Sequence, residues 1–349
     1  IRQCATVTSD EARIYNKVKG KGLIYWCPTI NMSRDPRWGR DEENYGEDPY
    51  LTGEMGVAYI QEVQKQGVGC CPKHYTAHGA PEGGLNLAPV HAGEREVREV
   101  MLPPFEKAVR EGHAMGIMPA YSELDGVPMH ASRYYLTDIL REELGFEGQV
   151  ISDYSAVSML YSLHHVAQTA GEAGKLALYA GVDMEAPHCF GFGKELEEAV
   201  RTGDVPEAWV DTAVRRILRH KFAMGLFENP YADPDAEKKS RTAEALALTR
   251  QAAAESVVLL KNKEKGGIYF PDDIAEKSYK ELSENEGRHP IGERCLWESA
   301  EQMKKRVMKV LDKYKDFDSV IVVCHGTLMQ YVLGIPHPEN GQIEVLSYK

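Results

Sequence analysis

At 349 residues the chain has room for roughly two domains of ~150 residues, or for one α/β barrel of ~250 residues with an appendage. Hydrophobic residues at 43% and charged residues at 27% support a packed core and argue against disorder. A net charge of −12 repels phosphate backbones and anionic lipid, which disfavours nucleic-acid and membrane partners and suits a neutral substrate.

Short apolar runs rich in β-formers predict strands at residues 23–27, 68–71, 116–120, 149–152 and 181–184. Helical periodicity fills the intervals over 53–66, 94–111, 134–144 and 170–180. Strand–helix alternation of this kind predicts a parallel sheet covered by helices, and near-continuous apolar strands suit burial on both faces. Further helices are expected at 209–226 and 242–254, followed by an apolar strand at 256–260. A charged junction at 261–267 then leads to a helix at 298–314 and a strand at 319–324. No apolar run reaches the ~18 residues that suggest a membrane span. No leader stands out, and the start at Ile1 leaves the true beginning open.

Seven cysteines, Cys4, Cys27, Cys70, Cys71, Cys189, Cys295 and Cys324, are odd in number and irregularly spaced. They read as free thiols in a reducing compartment, which gives a cytoplasmic expectation. There is no CxxC pair, so a structural zinc site is not expected. His74, His78 and His91 are spaced like a loop rather than a ligand set, and no metal is expected there.

Polar residues follow the predicted strands directly: Lys73 and His74, Tyr121, Asp153 and Glu185. Barrel enzymes place their chemistry at such strand ends. Asp153 closes an apolar run, and a buried carboxylate is costly unless paired or used. The alternative is an N-cap on the helix that follows, a role aspartate fills well. Residues 34–40, "RDPRWGR", gather three guanidinium groups and the Trp38 indole. Planar donors suit sugar hydroxyls and an indole face suits the apolar side of a sugar ring, whereas a surface ion-pair loop with Asp41, Glu42 and Glu43 is the plainer reading.

The runs "INMSRDPRWGRDEENYGEDPYLTGEMGVAYI", "CPKHYTAHGAPEGG", "MPAYSELDGVPMHAS", "LREELGFEGQVISDYSAV", "ALYAGVDME" and "AESVVLLKN" together resemble glycoside hydrolase family 3, in the family's order, from about residue 26 to residue 262. The resemblance implies an α/β fold, a (β/α)8 TIM-like barrel over residues 1–230 that is N-terminally incomplete. It implies a retaining β-glucosidase or β-xylosidase needing no cofactor and acting on a β-linked glucoside or xyloside oligosaccharide. Asp153 matches the nucleophile. Lys73 and His74 match a pair that binds sugar hydroxyls, Arg40 matches a substrate-binding arginine with Arg37 as its alternate, and Tyr121 matches a tyrosine near the nucleophile. Tyr154 stands where tryptophan is commoner. A nucleophile must stay ionised, and Lys73, His74 and Arg40 are expected to hold its pKa down.

Two departures shape the expectations. An early strand bearing an aspartate that grips the sugar is missing. The family's second domain, which carries the general acid ~5–5.5 Å from the nucleophile, is cut short within a linker region at 231–266. The runs "GERCLWESAEQMKKRVMKVLDKY" and "SVIVVCHGTLMQYVLG" within residues 267–349 instead resemble the C-terminal half of a histidine phosphatase, which implies a small α/β fragment; that family's attacking histidine lies in an early RHG motif that this chain does not show, so His325 has no attacking partner. The chain is therefore expected to favour activated aryl glycosides, and an open barrel edge would invite a homo-oligomer. The competing readings are a non-catalytic sugar-binding remnant and a phosphohydrolase.

Overall fold

The structure is a computed structural model, and it describes residues 1–20, 22–230, 235–257 and 305. Elements in chain order are α1 (Arg2–Lys19), β1 (Ile24–Tyr25), α2 (Pro49–Lys65), β2 (Gly69–Cys70) and β3 (Lys73–Tyr75). Then come α3 (Glu94–Glu96), a wide turn at Val97–Met101, α4 (Pro103–Arg110), β4 (Gly116–Pro119) and the hairpin β5 (Glu123–Leu124) and β6 (Val127–Pro128). They are followed by a wide helix at Tyr134–Glu143, β7 (Gln149–Val150), α5 (Ala156–Ser162), α6 (Ala170–Ala180), α7 (Lys194–Arg201), α8 (Glu207–Ala223) and α9 (Ala243–Glu255). One compact unit spans Ile1–Val257. Positions 231–234 and 258–266, residues 267–349 apart from Lys305, and with them the expected tail fragment, His325, Cys295 and Cys324, lie outside the described residues.

The expected strands pair in parallel and in sequence order. β1 pairs with β2, β3 with β4, and β4 with β7. Bridges from Thr29 to Lys73 and from Ile151 to Met184 extend the series at both sides. The result is an arc of parallel segments rather than a ring: the sheet does not close into a barrel among the described residues. Side chains alternate across it, as a pleated strand requires. Cys70, Ile117 and Val150 point outward into a core with Phe105, Leu136, Ile139 and Leu140 from the helices. Cys71, Met118 and Ile151 point the other way and form an inner layer with Ile24, Trp26 and Met184. Each fully buried aliphatic or aromatic side chain contributes about 1.5–3 kcal/mol by leaving water.

Several expected boundaries move for local reasons. α2 starts at Pro49, earlier than expected, because Asp48 caps it: its Oδ1 accepts the Leu51 N–H at 2.6 Å, and Pro49 lacks only a hydrogen bond the first turn could not make. The long helix expected over 94–111 breaks at Pro103, whose ring cannot donate to the turn before it. α1 was not among the expected elements. It lies against α2 and α9, with Lys17 to Glu237 at 3.5 Å and Lys239 to Asp10 at 3.4 Å beside it.

Under the arc, Asp183 closes a buried charge cluster. Its Oδ2 accepts from Arg141 Nη2 and from the Val150 N–H, both at 2.7 Å, and its Oδ1 accepts from Arg216 Nη1 at 2.8 Å. The Asp183 side chain is 1% exposed, so the two arginines and one amide are its entire solvation among the described residues.

Candidate active site

The ends of β3, β4 and β7 bring four of the expected residues together. Asp153 follows β7 and is 6% exposed. Its Oδ1 accepts the Tyr154 N–H at 2.7 Å, and its own N–H donates to His130 Nε2 at 3.2 Å. It is not a helix cap: α5 begins after Ser155, which sits in the left-handed region at φ 58° and offers no side-chain bond. Oδ2 is buried and accepts no hydrogen bond among the described residues. His74 Nε2 stands 3.4 Å from that oxygen.

Hydrogen-bond polarity follows from the groups that cannot accept. Asn31 donates from Nδ2 to the His74 carbonyl at 2.8 Å, so its Oδ1 accepts both the His74 N–H and Nδ1–H at 2.9 Å. His74 Nε2 is then the lone-pair nitrogen, and Arg40 Nη2 donates to it at 3.0 Å. Arg40 Nη1 donates to His78 Nε2 at 3.2 Å, while His78 Nδ1 faces Ser122 Oγ at 3.3 Å. Glu43 completes the guanidinium's shell, with Arg40 Nε to Oε1 at 2.6 Å and Nη2 to Oε2 at 3.0 Å. Both imidazoles are neutral. Burial and Arg40 push His78 down to about 3, and burial with the neighbouring His78 and Arg40 holds His74 well below its ordinary value.

The loop carrying His78 can reach Arg40 only because Gly79 has no side chain. A Cβ there would meet the Met32 carbonyl oxygen at 2.0 Å, and the Gly79 carbonyl accepts the Arg34 N–H at 3.1 Å.

Lys73 begins β3, half-buried, and its charge favours the ionised form of Asp153. Tyr121 stands beside Asp153, whose charge and the burial of the ring raise the phenol's pKa. Tyr154 is 51% exposed and meets Trp26 edge to face, with centroids 4.7 Å apart. Two expectations are corrected. Trp38 is 2% exposed and stands edge-on to His78 at 5.2 Å, so its indole is held in the loop and offers no face to a sugar. Arg37 turns outward to Asp35 at 2.7 Å, while the pair with Glu43 that the plainer reading expected is made by Arg40, the arginine at the site. His91 lies exposed beside Glu82 rather than with His74 and His78.

The pKa of Asp153 also differs from expectation. It is raised, because burial outweighs the Tyr154 N–H, Tyr121, Arg40 and Lys73, which all favour the anion. Arg40 is already neutralised by Glu43, and His74 carries no charge. The consequence has a definite sign. Unfolded, the carboxyl titrates near its ordinary 3.8; folded, it titrates higher. The fold therefore bears the cost of the anion at neutral pH and is free of it below 3.8. Asp153→Asn should raise stability at pH 7 by on the order of 1 kcal/mol, about 2–4 °C in Tm, and the gain should vanish in acid. Calorimetry of both forms across pH checks this; a Tm that falls at pH 7 would contradict it.

Two residues at the site, His130 and Asn31, had no assigned role in the sequence reading. His130, fully buried and held near 3 by burial, accepts the Asp153 N–H and faces the Ala120 carbonyl with its other nitrogen, tying two strand ends together. Asn31 orients His74, and Glu43, expected as a partner in an ion-pair loop, holds Arg40. His130 and Asn31 stood inside quoted motifs, but nothing in their spacing reveals a partner on another strand.

The Glycosyl hydrolase family 3 N terminal domain profile matches residues 13–220. A putative beta-xylosidase of Formosa agariphila is 37% identical over 270 residues, 74% of this chain and 35% of that protein. The lysosomal beta glucosidase of Dictyostelium discoideum is 38% identical over 255 residues, 68% of this chain and 31% of that protein. Among solved structures, a β-glucosidase from Erythrobacter marinus superposes with a TM-score of 0.70 at 38% identity, covering 75% of this chain and 35% of that one. The chain thus spans about a third of the length of the curated relatives it matches. A profile match across more than half of the chain, on a parallel arc with these strand-end residues, places the chain in glycosyl hydrolase family 3.

Proposed function

We propose that this chain carries the nucleophile half of a retaining β-glycosidase of the β-glucosidase or β-xylosidase type. The observation that carries the reading is Asp153 Oδ2: a buried carboxylate oxygen without a hydrogen bond among the described residues, at the end of a parallel strand, ringed by Tyr121, His74, Arg40 and Lys73. Such an oxygen is costly to keep unless it is used. It attacks the anomeric carbon with a lone pair as the bond to the leaving oxygen breaks, and the leaving oxygen departs with that bond's electron pair. The resulting glycosyl ester is then hydrolysed by water with overall retention. Arg40, Lys73 and the two imidazoles offer donors and lone pairs to ring hydroxyls, and Tyr154 with Trp26 forms an aromatic rim. No hydrogen bond or ion pair joins Asp153 to a second carboxyl among the described residues, and the general acid is assigned to none of them. We read the arc as part of a (β/α)8 barrel, supported by its superposition on the Erythrobacter marinus enzyme.

A glucoside substrate is supported by Listeria innocua β-glucosidase, crystallised with glucose and, as a mutant, with laminaribiose; each superposes with a TM-score of 0.69 at 33% identity. A xyloside is supported by the Formosa agariphila relative. The test is trapping. A 2-fluoro glucoside or xyloside with a dinitrophenyl leaving group forms the ester faster than water removes it, because fluorine destabilises the cationic transition state. Mass spectrometry should find the sugar on the peptide containing Asp153. A label on another carboxylate, or no label, would refute the assignment.

A further inference from the structure

At the opposite end of β7 from Asp153, a cavity of about 280 Å³ opens between the turn that leads into the strand and α8. Asp153 lies four residues beyond Gln149, about 13 Å along the strand, so this cavity is separate from the catalytic pocket. Four guanidinium groups line it: Arg141 on the wide helix Tyr134–Glu143, and Arg215, Arg216 and Arg219 on α8. Two carboxylates answer them. Asp183 pairs with Arg141 and Arg216, and Glu147, whose side chain is 81% exposed, pairs with Arg219 at 2.8 Å. Four positive charges against two negative ones leave a surplus of two, in a chain whose net charge is −12.

Donors are in surplus as well. A guanidinium carries five N–H groups and no acceptor. Among the described residues Arg215 makes no hydrogen bond or ion pair, and Arg216 and Arg219 each commit Nη1 alone. The buried Nε of Arg141 has no acceptor either. Arg215 and Arg219 stand four residues apart on one face of α8, where like charges repel until an anion sits between them. The Arg219–Glu147 pair is too exposed to be worth much, so Arg219 can turn to a better anion.

We propose that this cavity binds a phosphate dianion, free or as the end group of a small phosphomonoester. Guanidinium forks match phosphate oxygens two at a time, and a dianion cancels the surplus charge. A lone carboxylate brings one charge and two oxygens, enough for one fork of the three. Phe146 is 4% exposed and lies under the Arg141 guanidinium, so no open ring face invites a base or a sugar. The volume stands at the lower edge of ligand pockets, which suits a phosphoryl group with a small polar body. A nucleic acid or an anionic membrane would spread its charge over the whole of an acidic chain and be repelled. The site does not rest on the glycosidase reading. Its occupant would reinforce β7 from below, since Arg216 holds Asp183 and Asp183 holds the Val150 N–H.

The experiment is calorimetric titration of the full chain with sodium phosphate at about pH 8, where phosphate is largely dianionic, with ionic strength held constant by sodium chloride. Glycerol 3-phosphate and acetate are titrated in parallel, and aryl glycoside hydrolysis is assayed separately. Phosphate should bind saturably, with a dissociation constant on the order of 1 mM or below, and should raise Tm accordingly. Arg215→Ala and Arg219→Ala should each weaken binding about tenfold. Arg215→Lys, which keeps the charge and loses the fork, should fall between. Neither position belongs to the Asp183 cluster, so phosphate-free Tm and aryl glycoside hydrolysis should stay at the wild-type level. Asp153→Asn should bind phosphate like the wild type. Tighter binding of glycerol 3-phosphate than of inorganic phosphate would sustain the proposal with a phosphomonoester as ligand, and the reverse order would sustain it with the free ion. The proposal is overturned if the wild type shows no saturable phosphate binding, if both alanine variants bind like the wild type, if acetate binds as well as phosphate, or if Asp153→Asn abolishes binding. Phosphate binding by a chain that cleaves no aryl glycoside would sustain this site and sink the glycosidase reading alone.

Discussion

Asp153→Ala should lower kcat for a dinitrophenyl β-glycoside by on the order of 10⁴-fold, the scale at which removing a member of a nucleophilic constellation acts. The loss should fall on kcat rather than on binding. Lys73, His74 and Arg40 would still meet the sugar's hydroxyls, because none of them depends on Asp153 for its place. His74 is held by Asn31, and Arg40 by Glu43 and the two imidazoles. Truncation leaves a cavity where the carboxylate stood, under the same donors. A small anion such as azide can enter it and attack the anomeric carbon from the same face, releasing the aryl group. With no enzyme ester to be displaced in turn, the product is a glycosyl azide of inverted configuration. Azide-dependent recovery with that stereochemistry, read by NMR of the product, would fix the face of attack. A variant that keeps wild-type kcat would remove Asp153 from the chemistry.

Asp183→Ala should destabilise the fold by about 3–5 kcal/mol, the usual cost of breaking a buried pair from one side. Arg141 and Arg216 would lose the carboxylate that compensates them, and Arg141, whose side chain is 8% exposed, has little water to turn to. Burial already pulls the Arg141 guanidinium down to about 10, and Arg216 beside it adds to the strain of two like charges. The Val150 N–H would also be left without its partner at the base of the strand that ends in Asp153. In a chain of this size the shift in Tm is on the order of 10 °C. Thermal unfolding followed by circular dichroism reads it directly. A Tm within 2 °C of wild type would mean that the cluster relaxes at little cost, contrary to the geometry.

The strands were legible because burial on both faces leaves a run of apolar residues that no helix period imitates, as at 116–120 and 149–152. The strand-end residues were legible because an aspartate or a lysine–histidine pair immediately after such a run stands out against its neighbours. Other features depend on three dimensions and left no local mark. The Arg40–His78 contact spans 38 positions and exists only through the fit of Gly79 against Met32. The burial that raises the Asp153 pKa comes from layers contributed by several strands, whereas the sequence displayed only the neighbouring cations. Trp38 misled for the same reason: an indole among arginines looks available until its loop folds back over His78.

The direction of the hydrogen bonds around Arg40 also decides the traffic of protons. Arg40 points a proton at each Nε2, and His74 sends its one ring proton inward to Asn31. Neither imidazole presents a proton to the space above Asp153. Both are instead closed by a guanidinium that never ionises to a base. A hydroxyl arriving there can insert into the chain, accepting from Arg40 and donating to the nitrogen it displaces, because a hydroxyl does both at once. A carbonyl cannot, and an ammonium group cannot. The pocket thus counts hydroxyls by their two-way character, and a ligand whose hydroxyl is replaced by fluorine at that position should lose affinity although its shape is kept.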